Sequence, residues 1–401
     1  MHVLLVEPDY YTRYPPLGLL KLASYHKAKG DSVELVRGNT IPALSPDIIY
    51  VTSLFTWAWI PVHSSVRYYK IKYPDVPLHL GGVYATLLYD HAELSGADYV
   101  HKGIMPEIED YLPSYDLIPE WDGSILFASR GCIRKCGFCA VPKLEGAPKY
   151  LKVGIRHLLY PKHTRIVFND NNILGNNNWK AIFDEVINIG WKVDFNQGLD
   201  ARLISDEAAQ KLGDMKFFPA IRVAYDYTGI GKFVKKAIER LMANGIKGRD
   251  IFVYILFNYA DNPEDFFQRV KEVVNWGATA YPMRYTPLNS LDKNKHIGPQ
   301  WDYKSLQIVQ QARRVIGYGG AFPPYEGLVK KLNAAKTFFE AFDLVPTSQT
   351  RKPKGIIEHS KEMIDEGSIE HLKERSTRPI RPYWTSLRRE ENWRLIPKKR
   401  R

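Results

Sequence analysis

The stretch Gly131-Cys132-Ile133-Arg134-Lys135-Cys136-Gly137-Phe138-Cys139 holds all three cysteines of a 401-residue chain. Three thiolates separated by three and then two residues can wrap one face of an iron–sulfur cube, each holding a different iron and leaving the fourth without a protein ligand. An open metal position is what a catalytic site keeps, whereas a structural zinc closes its shell with four protein ligands. None of the eleven histidines lies inside the loop, so a zinc site would need a ligand folded in from elsewhere. An odd number of closely spaced cysteines in a chain this long is not the pattern of a secreted disulfide scaffold.

The C-x-x-x-C-x-x-C spacing, with the aromatic Phe138 just before the last cysteine, resembles the signature of the radical S-adenosylmethionine (SAM) superfamily. The resemblance implies that Cys132, Cys136 and Cys139 hold a [4Fe-4S] cluster and that Phe138 packs beside the adenine of SAM. In that family the open iron chelates the amino and carboxylate groups of SAM, and an electron from the cluster cleaves a carbon–sulfur bond to give a 5′-deoxyadenosyl radical. The cofactor supplies the chemistry and the protein aims it. A flavodoxin- or ferredoxin-type reductant is the implied partner, and the substrate is not named by any residue pattern.

Downstream of the loop, apolar runs at Arg165 to Asn169, Val193 to Gln197, Ala220 to Tyr225, Ile251 to Phe257 and Ala278 to Tyr285 read as strands, with Ile125 to Ala128 before it. Helices mostly separate them, and six strands match the partial (βα)6 barrel that the resemblance implies. Asn262-Pro263-Glu264-Asp265 supplies a cap, a first-turn proline and first-turn acids, with Gly277 closing that helix; Ser205-Asp206-Glu207 and Gly213 bracket another. The resemblance also points to residues at strand ends. Asp170 and Asn171 offer groups to the methionyl amine, and Gln197, Asp200 and Arg202 follow the third strand. Arg222 and Asp226 bracket the fourth strand, as candidates for the SAM carboxylate and ribose. Arg284 and Tyr285 fall at the barrel mouth. Asp200, Arg202 and Tyr285 are the candidate catalytic residues. An Asp200–Arg202 structural pair, an asparagine-rich turn and core packing are the plain alternatives for these positions.

Before the loop, residues 1 to 108 alternate short apolar strands (His2 to Val6, Ser32 to Val36, Asp47 to Leu54, Val76 to Leu80) with helices such as Leu17 to Lys29. That alternation predicts a parallel sheet covered by helices. Tyr14-Pro15-Pro16-Leu17-Gly18, Leu78-His79-Leu80-Gly81-Gly82 and Ala97-Asp98-Tyr99-Val100 resemble the cobalamin-binding-like domain that precedes many radical SAM domains. Ser53, Thr56, Gly81 and Gly82 are the candidate cobalamin contacts. The Asp-x-His-x-x-Gly signature that gives cobalt a lower histidine ligand is missing, and a domain of this type that binds no cobalamin is an equal alternative.

The expected architecture is therefore α/β: a doubly wound parallel sheet over 1–108, a linker over 109–123, a partial (βα)6 barrel over 124–290, a helical region over 291–375 and a basic tail over 376–401. The formal charge of +12 is concentrated at the end, because residues 376–401 carry nine Lys or Arg against Glu390 and Glu391. Cations interleaved with Trp384 and Trp393 suit phosphates and bases, so a nucleic acid is a candidate partner of the tail. No apolar stretch reaches the length of a membrane span, and the amino terminus shows no basic leader, so a cytoplasmic location is expected. The expected reaction is radical hydrogen abstraction from a substrate carbon, with methyl transfer, as by a methyltransferase, if cobalamin takes part. The rival class is a nucleic-acid-binding protein with a structural or sensory cluster.

Overall fold

Short apolar runs buried on both faces are stable in a parallel sheet covered by helices, and the first hundred residues fold in this way. The computed structural model describes residues 1–151, 154–218, 220–317 and 325–342. Strands β1 (His2–Glu7), β2 (Ser32–Arg37), β3 (Ile48–Ser53), β4 (Leu78–Gly82) and β5 (Tyr99–Val100) form a parallel sheet in the order β2-β1-β3-β4-β5. The period of two sends Leu4 and Val6 to a core with Val62, Val66 and Tyr69 of α2 (Trp59–Lys72), and Val3 and Leu5 to one with Leu19, Leu22 and Ala23 of α1 (Leu17–Ala28). Two short helices, α3 (Val83–Leu87) and α4 (Tyr89–Glu93), connect β4 to β5.

The second half restarts at β6 (Gly123–Leu126) and immediately makes an excursion. Strand β7 (Ser129–Arg130) pairs antiparallel with β8 (Lys149–Tyr150), and this small ladder closes the loop that carries the cysteines and the helical turn α5 (Val141–Leu144). Alternation then resumes through β9 (Arg165–Phe168), α6 (Trp179–Ile189), β10 (Lys192–Phe195), α7 (Asp206–Gly213), β11 (Lys216–Phe217), β12 (Ile221–Ala224), α8 (Gly231–Ala243), β13 (Ile251–Phe257), α9 (Pro263–Asn275) and β14 (Thr279–Arg284). Two parallel sheets result, β11-β10-β9-β6 and β12-β13-β14, joined by a parallel bridge from Leu199 to Val223.

Local chemistry fixes the helix ends as expected. Ser205 accepts a hydrogen bond from the Ala208 amide, and Asn262 from the Asp265 amide, at the starts of α7 and α9. Ile251, Val253, Ile255 and Phe257 join the large core beneath these helices, while Phe252, Tyr254 and Leu256 line the opposite, partly open face. After β14 come α10 (Tyr303–Gly317), α11 (Tyr325–Ala334) and α12 (Phe338–Phe342).

The halves are stitched by long-range bonds. The Tyr14 hydroxyl donates to Asp194 of β10 at 2.9 Å, and the Thr56 hydroxyl to the Ser290 carbonyl at 2.7 Å. Residues 1–344 accordingly make up one compact unit. The charged segment from 351 and the basic tail from 376 lie outside the described residues. Among the described residues no helix is long and apolar enough to cross a membrane.

Candidate functional site

Because β6, β9, β10, β12, β13 and β14 are parallel neighbours, the segments after them emerge at the same edge. Ligands on open parallel sheets bind at such carboxyl ends. The cysteine loop, which follows β6, meets the others there. Gly175, after β9, lies against Ile133, so closely that a Cβ at 175 would stand 3.2 Å from its Cδ1. Asp200, after β10, accepts from Arg134 Nε at 2.9 Å and from Arg202 Nε and Nη2 at 2.6 and 3.0 Å. Tyr259, after β13, stacks edge-on against Phe138 with ring centres 5.6 Å apart, and its hydroxyl presses on Gly137, where a Cβ would lie 2.7 Å from it. Tyr285, after β14, packs edge-on to Tyr259 at 4.7 Å.

Within the loop the backbone is already turned. The Cys139 amide donates to the Cys136 carbonyl at 3.0 Å, and the Arg134 amide to Cys132 Sγ at 3.3 Å. All three thiols are free and half-buried. Burial pushes the thiols of Cys136 and Cys139 up, and the charges of Asp226 and the neighbouring cysteines add to the effect. No group of three His, Cys, Asp or Glu side chains among the described residues is arranged around a single metal ion. A cube makes a different demand, since each thiolate binds its own iron. Three free thiols in one turned loop are a donor set of the kind that can hold three irons of a cube and leave the fourth open.

Two further groups face this loop. Burial pushes the Asp226 carboxyl up to about 6, against the pull of Arg269 and Arg202; the carboxylate makes no hydrogen bond to the described residues. The loop after β9 contributes Asn172, whose Nδ2 lies 3.4 Å from Asp200 and whose buried Oδ1 has no hydrogen-bond partner among the described residues. Arg269, fully buried, donates to the carbonyls of Tyr225, Asp226 and Leu256 and pairs with Asp261, which fixes the segments after β12 and β13.

Other positions expected at the site have different work. Asp170 is buried and accepts from the Ala128 amide at 2.9 Å and the Ser129 hydroxyl at 2.6 Å, so it anchors the start of the loop instead of facing a ligand. Asn171 donates to Glu145 at 2.9 Å. Gln197 is exposed after β10. Arg222 is buried in an ion pair with Asp194, the carboxylate that Tyr14 also reaches, and is committed there. Arg284 Nη2 donates to the His296 carbonyl.

In the amino-terminal sheet, the Ser53 hydroxyl donates to the Gly81 carbonyl at 2.7 Å and accepts from the Ala85 amide at 3.1 Å, while Thr56 holds Ser290. Gly82 has φ 105° and any Cβ would collide with the Ser53 carbonyl at 2.1 Å, so packing requires a glycine there.

Arg134, Asn172, Tyr259, Asp194 and Glu145 were not foreseen in these roles. Asn172 alone carried a signal, as the third residue of the Asp170-Asn171-Asn172 run. No protein-family model and no curated protein matches the chain. The crystal structure of a galactofuranose binding protein aligns over 78% of this chain and 88% of its own, at 10% identity and a TM-score of 0.18, a likeness too low to carry any argument.

Proposed function

We propose that the chain is a radical SAM enzyme that holds a [4Fe-4S] cluster on Cys132, Cys136 and Cys139 and abstracts hydrogen from a substrate carbon. In this reading β6, β9, β10, β12, β13 and β14 are the wall of a partial (βα)6 barrel. The carrying observation is the convergence of segments from the ends of the other strands on the one loop that holds every thiol of the chain. When bound, the cluster supplies the electron for reductive cleavage of SAM.

The chain's own residues then divide the work of binding and aiming. Asp200 ties Arg134 of the loop to Arg202, which holds the thiols at the sheet edge. Asn172 Oδ1, a buried acceptor without a hydrogen-bond partner among the described residues, accepts from the ammonium of the methionyl part, and Asp226 accepts from ribose hydroxyls. Phe138 and Tyr259 form an aromatic wall for adenine. Tyr285 stands beside that wall, edge-on to Tyr259. The hydroxyls of Ser53 and Thr56 are engaged within the protein, so a cobalamin at the ends of β3 and β4 would be held by backbone groups.

Anaerobic reconstitution with iron and sulfide tests the ligand assignment. About four irons per chain are expected in the unaltered protein, few in Cys136→Ala, and a reduced content in Asp200→Ala at an unchanged far-UV spectrum. Full iron content in Cys136→Ala would remove the basis of the proposal.

A further inference from the structure

The sheet face turned away from the large core carries side chains that binding of SAM does not use. On β10 and β12, Asp194 and Arg222 form a buried ion pair, with the Tyr14 hydroxyl on Asp194 and Tyr254 beside Arg222. Tyr254 packs on Tyr281 of β14 with ring centres 5.3 Å apart. The ion pair is internally neutral, so this floor offers a ligand no free charge. Two residues nearer the carboxyl ends, on the same face, Leu256 and Met283 are register partners on β13 and β14. Leu256 is half-buried and Met283 is 38% exposed. Tyr285 then joins this apolar strip to Tyr259 and Phe138, the wall given to adenine.

The other sheet brings two amides to this face. Asn169 and Asn196 directly follow Phe168 and Phe195, which are register partners on β9 and β10 and belong to the core. Alternation therefore turns both asparagines to the side of Asp194. Asn196 Nδ2 donates to Asn169 Oδ1 at 3.2 Å, and the two half-buried side chains make no other hydrogen bond to the described residues. What remains is a donor, Asn169 Nδ2, next to an acceptor, Asn196 Oδ1, on neighbouring strands. Turning both amides over leaves the same set.

A donor beside an acceptor selects among amides. A chain amide is trans and sends its N–H and C=O to opposite sides. A lactam in a small ring is held cis and presents both on one edge. We infer that this strip is the substrate slot of the proposed radical site and that the substrate is an uncharged ring with a lactam edge. The lactam C=O accepts from Asn169, its N–H donates to Asn196, and the ring lies against Leu256, Met283 and Tyr285. Asp226, on the same face after β12, serves ribose in that reading. The word substrate rests on the radical reading, whereas binding of the ring needs no cluster.

Calorimetric titration of the full chain, without cluster or SAM, tests the slot. Uridine and the diketopiperazine cyclo(Gly-Phe) separate a nucleobase lactam from a peptide-derived one, and their N3-methyl and N,N′-dimethyl forms lack the lactam N–H. At least one lactam is expected to bind with a Kd below about 1 mM and its methylated form at least about tenfold more weakly. Asn196→Leu should bring the two forms to equal affinity. Binding of neither lactam at about 10 mM, no penalty for methylation, or a penalty that survives in folded Asn196→Leu would each overturn the inference. The methylation comparison is made on the unaltered protein and stands where the variant fails to fold. Lactam binding by a chain that leaves SAM intact would keep the slot and remove the radical reading; SAM cleavage without lactam binding would remove the slot alone.

Discussion

At the scale of single residues, the buried carboxylate of Asp170 seats residues 128 and 129 at the root of the cysteine loop by accepting from the Ala128 amide and the Ser129 hydroxyl. Its burial raises the carboxyl from 3.8 to about 6, with the Ser129 and Ala128 hydrogen bonds acting against the rise. The folded protein therefore keeps a proton that the unfolded chain releases earlier. Stability from this group is present below about pH 4 and is lost as the pH climbs through about 6, by on the order of 3 kcal/mol. Asp170→Asn removes the titration, so its urea-unfolding free energy relative to the unaltered protein should rise between pH 4 and 6 and then level off. A difference that stays flat over that window would show that the carboxyl is not desolvated. Tyr259 was illegible in the sequence because its partner Phe138 belongs to a distant stretch, and such a contact leaves no local pattern.

At the scale of elements, periodicity was a good guide wherever one face is buried. Strand β13 spans the predicted Ile251–Phe257, and α7 and α9 begin at the caps read from Ser205 and Asn262. Within the expected helical region, the stretch 328 to 342 is not one helix. It breaks after α11 because α12 must turn Phe338 and Phe342 into the core beside Phe266, and Thr337 supplies a new cap for Glu340. Arg269 on α9 was legible only as a polar residue of an amphipathic helix, although it binds three carbonyls from two strand ends. Arg269→Lys cannot reproduce that fork. A loss of about 3 kcal/mol in chemical unfolding is expected, as for a buried network with one partner removed; a loss under about 1 kcal/mol would mean that the segments after β12 and β13 are held by other contacts.

At the scale of the whole molecule, the α/β character and the parallel sheets were readable from alternation, whereas the bonds that join the halves were not. Tyr14 to Asp194, Thr56 to Ser290 and the Lys21–Glu109–Arg130 chain each cross from the first hundred residues to the second parallel region. Elements tied in this way unfold together. Calorimetry should give one transition for residues 1–344, with equal calorimetric and van't Hoff enthalpies; two separated transitions would show that these bonds do not couple the halves. Mass analysis of SAM products is the direct test of radical cleavage by this chain. The anaerobically reconstituted and reduced protein, with and without added cobalamin, should release 5′-deoxyadenosine and methionine from SAM, and Cys136→Ala should release neither. Intact SAM after incubation with a cluster shown to be present and reducible would contradict the radical reading and favour a structural or sensory role for the cysteine loop.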